Sequence, residues 1–466
     1  MLRNEKAKLG LLAIMHDIYN ESQPEIPSNQ TAFINEVIKR LKDAAEIDFP
    51  EIGMDRVSIE RIVKYFNDKD YDGIIIVNLL YSPGMRVVQA FKQNRLPVFL
   101  ANIQPLPDVT RDWNWSLLTT NQGIHGIQDT SNMLMRLGVQ RTIVTDDWKS
   151  PGFEAAVRDW AVAAYTVKRL RGVKAAVFNK LRGMGDIMGD EVAYFRKFGI
   201  EINYESIGLI VKTFAEVSDS EVDALVAEDI KIFEIDPGLP EETHRYAARL
   251  QAAFEKFLDS RGYEAFSQNI SVYEDDGMRL KQLPLLGACN MLAKGYGYSA
   301  EGDVHSMALT IIGHLLAGDP HFTEMYSLDF GRDAALMSHM GEGNWKVARK
   351  DRPIRLIDRP LNIGNAENPP TPIFSVQPGE ATIASLVAVS GDDYIIVVSH
   401  GEVLDTEEIP GIPMNYTFFK PDAGIKQSMD DWLKYGGTHH QVLWLGDQRR
   451  RLRYFCDITG IKYIEV

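Results

Sequence analysis

Glu301 in the string GYGYSAEGD, Glu324 in HFTEMYSLDFG, His339 in MSHMGEG and the neighbours His439 and His440 in GGTHHQ are the side chains best suited to chemistry. Carboxylate oxygens and imidazole nitrogens are the donors that hold a divalent cation, and an ion held with open positions acts as a Lewis acid. Glutamates are also general acids and bases. Adjacent histidines rarely both reach one ion, so one of His439 and His440 is expected to serve. No spacing rule of the HExxH or paired CxxC kind ties these positions together. Each also has a plainer reading: Glu301 as a helix-start carboxylate, Glu324 as a surface-strand residue and His339 as a hydrogen-bonded structural imidazole.

The elements that carry them can be read from periodicity. Glu301 precedes DVHSMALTIIGHLLAG, where Val304, Met307, Ala308, Ile311, Ile312, Leu315 and Leu316 recur at helical spacing. Its carboxylate is therefore expected to face a helix amino terminus, where the dipole favours the ionised form. Glu324 follows the turn AGDP in a strand-like stretch with Phe322, Tyr326 and Phe330, and His339 is expected at a strand end beside a glycine turn. His439 and His440 follow the amphipathic segment QSMDDWLKYGG, whose glycines read as a helix stop.

Along the chain, apolar runs at Leu9 to Met15, Gly73 to Leu79, Pro97 to Ala101 and Thr142 to Val144 alternate with helical patterns, which predicts a parallel sheet covered by helices. A second such unit starts at Val173 with VKAAVFNK. From Pro353 the texture turns β-rich, with IASLVAV and YIIVVSH as strands between turn signals. The expected class is α/β: two Rossmann-like α/β domains, residues 1–168 and 169–325, followed by a β-rich, antiparallel, barrel-like C-terminal domain, residues 326–466.

Composition narrows the function. A chain of 466 residues with net charge -15 and pI near 5.2 offers no phosphate-tracking surface, which argues against nucleic acid. The basic runs Lys168 to Arg171 and Arg449 to Arg453 read as solvated faces. Cys289 and Cys456 are too few for a disulfide framework or a thiolate metal cluster. No apolar run approaches the ~20 residues of a bilayer span, so no membrane partner and a cytoplasmic location are expected. The loop GMGDIMGD matches neither GxGxxG nor a P-loop. It reads as a strand-to-helix connection that touches substrate through Met184.

The stretch LKQLPLLGACNMLAKGYGYSAEGD, residues 280–303, together with MSHMGEG, GGTHHQ and NQGIHG at residues 121–126, resembles the L-arabinose isomerase family within the arabinose and fucose isomerase group. The resemblance implies that Glu301, Glu324, His339 and His440 ligate a divalent metal, Mn²⁺ foremost with Co²⁺ or Mg²⁺ as alternatives. It makes Glu301 and Glu324 the catalytic acid/base pair. His16, Tyr19, Tyr81, Gln122, His125, Met184, Tyr273 and His439 are then the expected substrate-binding residues. It further implies a homo-oligomer, typically a hexamer, in which the NQxxHG element of one subunit completes the site of its neighbour.

The expected activity is isomerisation of a free aldose to a ketose through an enediol(ate). The substrate is an L-arabinose-like pentose or a related hexose or deoxy sugar. A non-catalytic sugar-binding protein on the same scaffold and a metal-dependent sugar 2-epimerase are the alternatives. The chain departs from the family in its sugar-facing strings. IMHDIYN stands where GSQHLYG is usual, putting His16 in place of a glutamine and keeping Tyr19. LLYSPGM replaces HTFSPAK, so Tyr81 stands for a phenylalanine, and FTEMYSL replaces FMEDYTY.

Overall fold

The computed structural model describes residues 2, 5–180, 183–269, 280–361 and 366–466. Tyr273, expected at the substrate site, lies outside the described residues. Most of the chain falls into two compact units, one formed by Glu5–Lys168 with Arg450–Gly460 and the other by Arg169–Arg449 with Ile461–Val466. The architecture is mixed α/β, with parallel sheets and a β-rich C-terminal sheet.

In the first unit the runs at Leu9, Gly73 and Pro97 become strands buried on both faces, as a helix-covered parallel sheet requires, whereas the run at Thr142 becomes a partly exposed edge strand. Their order is Glu46–Asp48, Lys8–Ile14, Gly73–Asn78, Val98–Asn102, Thr142–Thr145, with the short strand Ile52–Gly53 also pairing Lys8–Ile14. Every pairing is parallel. Strand order reverses between Lys8–Ile14 and Gly73–Asn78, and the carboxyl ends at such a reversal are where doubly wound sheets place ligands. His16 and Tyr81 follow these two strands, and the His16 backbone N–H donates to the Tyr81 carbonyl at 3.1 Å.

The helix Arg449–Thr459 contributes its residues from Arg450 onward to this unit. The Nε atoms of Arg450 and Arg451 donate to Asp159 at 2.5 and 2.9 Å. The basic run is therefore not simply a solvated face: two of its guanidinium groups are tied to one largely buried carboxylate.

In the second unit a four-stranded parallel sheet runs in the order Gly297–Ala300, Ala265–Gln268, Lys174–Phe178, Glu201–Tyr204. The helix Val304–Leu316 is buried at every residue, which suits a segment that is apolar nearly all round. The C-terminal sheet has the order Gly379–Ser390, His440–Leu445, His321–Asp329, Ala334–Ser338, Tyr416–Pro421, Asp393–Val403, Lys462–Glu465. A long hairpin also pairs Gly379–Ser390 with Asp393–Val403, so the strand path returns on itself. Among the described residues no helix is long and apolar enough to cross a membrane.

Candidate active site

The strand Gly297–Ala300 ends in a tight left-handed turn, Glu301 at φ 63° and Gly302 at φ 77°. Glu301 is one of few non-glycine residues in this region of backbone space, a conformation that costs energy and gathers at functional sites. Gly302 is required twice over, since a Cβ there would also lie 2.6 Å from the Asn179 carbonyl oxygen. The turn is pinned by the Glu301 N–H on the Gln268 carbonyl at 2.7 Å and the Gly302 N–H on Ser267 Oγ at 3.0 Å.

The carboxylate at the helix amino terminus is Asp303, not Glu301 as the sequence suggested. Its Oδ1 accepts the His305 and Ser306 N–H groups at 2.8 and 3.2 Å. Its Oδ2 accepts His440 Nδ1–H at 2.9 Å. Burial pushes the Asp303 carboxyl up, but the hydrogen bond and charge of His440 outweigh it and hold the group below the usual carboxylate range.

Strand register supplies the rest. Glu324 stands opposite His440 on one side and Ser338 on the other, and His339 follows Ser338. Phe322, two residues before Glu324 and wholly buried, packs edge-on against the His339 and His440 rings at 4.9 and 5.0 Å. His339 Nδ1 lies 2.8 Å from Glu342, which also accepts the Tyr298 hydroxyl at 3.0 Å. Burial would depress the His339 imidazole; the Glu342 carboxylate overrides it and raises the ring above its ordinary value.

Both imidazoles thus present Nδ1 to a buried carboxylate, which fixes the tautomer and turns Nε2 outward, the support metal-binding histidines usually have. His440 Nε2 lies 3.6 Å from Glu301 Oε2 and 4.0 Å from Glu324 Oε2. The ligand atoms of Glu324, His339 and His440 fall within 4.8 Å of one another, as do those of Glu301, His439 and His440. Buried His440 Nε2 and Glu301 Oε2 have no hydrogen-bond partner among the described residues. Unpaired buried polar atoms are costly, and their convergence with carboxylates is what a cation would relieve. The residues fit a divalent ion. By contrast, the exposed Glu380, His400 and Asp447 cluster has both His400 nitrogens already on carboxylates, Asp422 at 2.6 Å and Glu380 at 3.3 Å.

The His439 ring lies tilted against that of His440, with ring centres 4.0 Å apart, and places Nε2 3.8 Å from Glu301 Oε2. Glu301 and then Asp186 raise its imidazole to about 9 against the opposing effect of burial. Burial would raise Glu301, but the His439 interaction and the nearby His440 and His339 rings leave it below its ordinary value. Both adjacent histidines therefore face Glu301, and His440 alone of the two also approaches Glu324.

The remaining expected residues lie mostly in the other unit. Gln122 Nε2 donates to the Tyr19 hydroxyl at 3.0 Å. His16 is half-buried, with Nε2 3.5 Å from Arg86 Nη2, and Arg86 pairs with Asp17 at 2.9 Å. Tyr81 and His125 are exposed. Met184 is half-buried in the loop after the strand Lys174–Phe178. Sequence reading missed Asp303, Glu342, Asp186 and the Asp17–Arg86 pair. Asp303 and Glu342 stand inside the strings AEGD and HMGEG that were singled out for their neighbours.

Taken together, fold and site define a mixed α/β protein with a carboxylate-imidazole cluster gathered at neighbouring interior strands of its C-terminal sheet. Family models for the L-arabinose isomerase N-terminal, central and C-terminal domains match residues 9–172, 175–319 and 319–462. L-arabinose isomerases of Clostridium beijerinckii, Leuconostoc mesenteroides and Aeromonas salmonicida are 26%, 27% and 29% identical to it, over 100%, 95% and 84% of this chain and 96%, 96% and 80% of theirs. The chain belongs to the L-arabinose isomerase family.

Proposed function

We propose that the protein is an aldose–ketose isomerase acting on a free sugar, an L-arabinose-like pentose or a related hexose or deoxy sugar. The observation that carries the site assignment is the carboxylate-oriented His440, whose unpaired Nε2 faces both Glu301 and Glu324. Glu301, Glu324, His339 and His440 would hold a divalent cation, Mn²⁺ foremost. When bound, such an ion supplies Lewis-acid stabilisation of the charge that develops as a sugar loses its C2 proton.

The chain's own residues do the proton work. One of Glu301 and Glu324 takes the proton from C2 and returns it to C1, while the other moves the hydroxyl proton between O2 and O1, leaving a ketose. General acid/base catalysis of this kind contributes about 10²- to 10⁴-fold. The altered strings around His16 and Tyr81 bear on which sugar is taken.

The test is proton NMR in D₂O against a panel of pentoses, hexoses and 6-deoxy sugars, with Mn²⁺ and with EDTA. Ketose formation with metal-dependent deuterium at the reacting carbon is expected. A C2 epimer as the sole product, or no turnover of any sugar, would overturn the assignment.

A further inference from the structure

The loop that leads from Gly183 to Asp190 takes no part in the chemistry above, yet it delivers a carboxylate to the centre. Asp186 Oδ2 accepts two hydrogen bonds from His439, one from the backbone N–H at 2.9 Å and one from ring Nδ1–H at 2.7 Å. Two bonds to one residue, one on main chain and one on ring, fix the imidazole's position and rotation together. Nε2 is then directed toward Glu301, where it is buried without a hydrogen-bond partner among the described residues. Its 3.8 Å separation from Glu301 Oε2 exceeds hydrogen-bond length, so the nitrogen is placed for a third group between them.

The loop is held on the far side of Asp186. The Met188 carbonyl accepts His305 Nε2–H at 2.8 Å, and His305 Nδ1 is in turn bonded to the buried Tyr194 hydroxyl. Asp190 caps the helix Glu191–Phe198 through the Val192 and Ala193 N–H groups at 2.8 and 3.0 Å. His305 is the second residue of the helix that begins after Asp303. One helix amino terminus therefore orients His440 directly through Asp303 and braces the loop that orients His439.

We infer that Asp186 is a positioning residue that anchors His439 through its backbone N–H and Nδ1–H, so that Nε2 is presented to a substrate oxygen beside Glu301 and the ring, when neutral, is the Nδ1–H tautomer. The kinetic part of this inference rests on the isomerase reading; the tautomer does not. Asp186 acts through His439 and touches neither substrate nor ion.

The first measurement uses the full chain labelled with ¹⁵N-histidine, ten residues in all, without metal and with diamagnetic Mg²⁺, recorded above pH 9 where the His439 ring is neutral and has a tautomer to report. Long-range ¹H–¹⁵N correlation in the wild type, Asp186→Ala, Asp186→Asn and His439→Asn reports each ring's tautomer. The set that vanishes in His439→Asn should show Nδ1–H in the wild type, lose it in Asp186→Ala and keep it in Asp186→Asn, which retains an acceptor. With a turned-over sugar, Asp186→Ala should lower kcat by about 10- to 100-fold, leave KM and Mn²⁺ affinity unchanged, and add nothing to His439→Asn. An unchanged His439 tautomer in Asp186→Ala overturns the inference. So do losses that multiply in the double variant, or an Mn²⁺ affinity that falls with Asp186→Ala. If the wild type turns over no sugar, the isomerase reading fails and the tautomer spectra still decide the role of Asp186.

Discussion

The two ends of the helix Val304–Leu316 are equally buried and both carry histidine chemistry, yet they do opposite things. At the carboxyl end His314 donates Nε2–H to the Tyr296 carbonyl at 3.1 Å, and just beyond it His321 Nδ1 accepts the Asn344 N–H at 3.1 Å. Burial lowers both imidazoles to about 4, leaving neutral rings bonded to backbone. At the amino end Asp303 engages His440, and across the same cluster Glu342 engages and raises His339. Burial alone does not make a histidine a candidate ligand. A carboxylate on Nδ1 and an unpaired Nε2 facing other carboxylates separate the two kinds.

The sharpest way to break this contrast is Glu301→Gln, which removes a base and a ligand charge without changing shape. Its kcat for ketose formation should fall by about 10²- to 10⁴-fold, whereas His314→Gln should leave it unchanged. Full activity in Glu301→Gln would place the chemistry elsewhere. Next, Asp303→Asn should weaken Mn²⁺ binding by about 10- to 100-fold by calorimetry, because His440 loses its orienting carboxylate. The same measurement on His314→Gln should show no change, and equal losses in both would erase the distinction between the helix ends.

A smaller effect separates them by stability. Mn²⁺ at a hundredfold excess over its dissociation constant should stabilise the fold by about 2.7 kcal/mol, seen as a rise in thermal midpoint. His440→Ala should abolish that rise. Acid acts on the other end of the helix. His314 and His321 have folded pKa values near 4, below the ordinary 6.5, so between those values the unfolded chain binds more protons than the folded one. Their contribution is fully present above pH 6.5 and is lost as pH falls through that range toward 4. His321→Asn should flatten the slope of the metal-free protein's thermal midpoint between pH 6.5 and 4; an unaltered slope would remove His321 from this account.

Elements with strong periodicity were legible in the sequence. The runs at Leu9, Gly73 and Val173 became parallel strands, and the apolar helix after Asp303 and the strands IASLVAV and YIIVVSH formed where expected. Glu301, Glu324, His339 and His440 were brought together by resemblance, since three strands and a turn separated in sequence supply them. Their supports were harder to see. Asp303 is an ordinary helix cap by type, and only its second oxygen, spanning 137 residues to His440, gives it another role. Glu342 lies three residues from His339 outside any helix, so no helical rule pairs them. Asp186 meets His439 across 253 residues, beyond the reach of local pattern.

Asp159 and the arginines that hold it have a consequence for synthesis. The unit that begins at Glu5 takes its last piece from Arg450–Gly460. A ribosome must therefore translate the whole intervening unit before the first one can close. Until then Asp159 lacks both guanidinium partners, so the nascent N-terminal unit waits, incomplete, on a helix made hundreds of residues later.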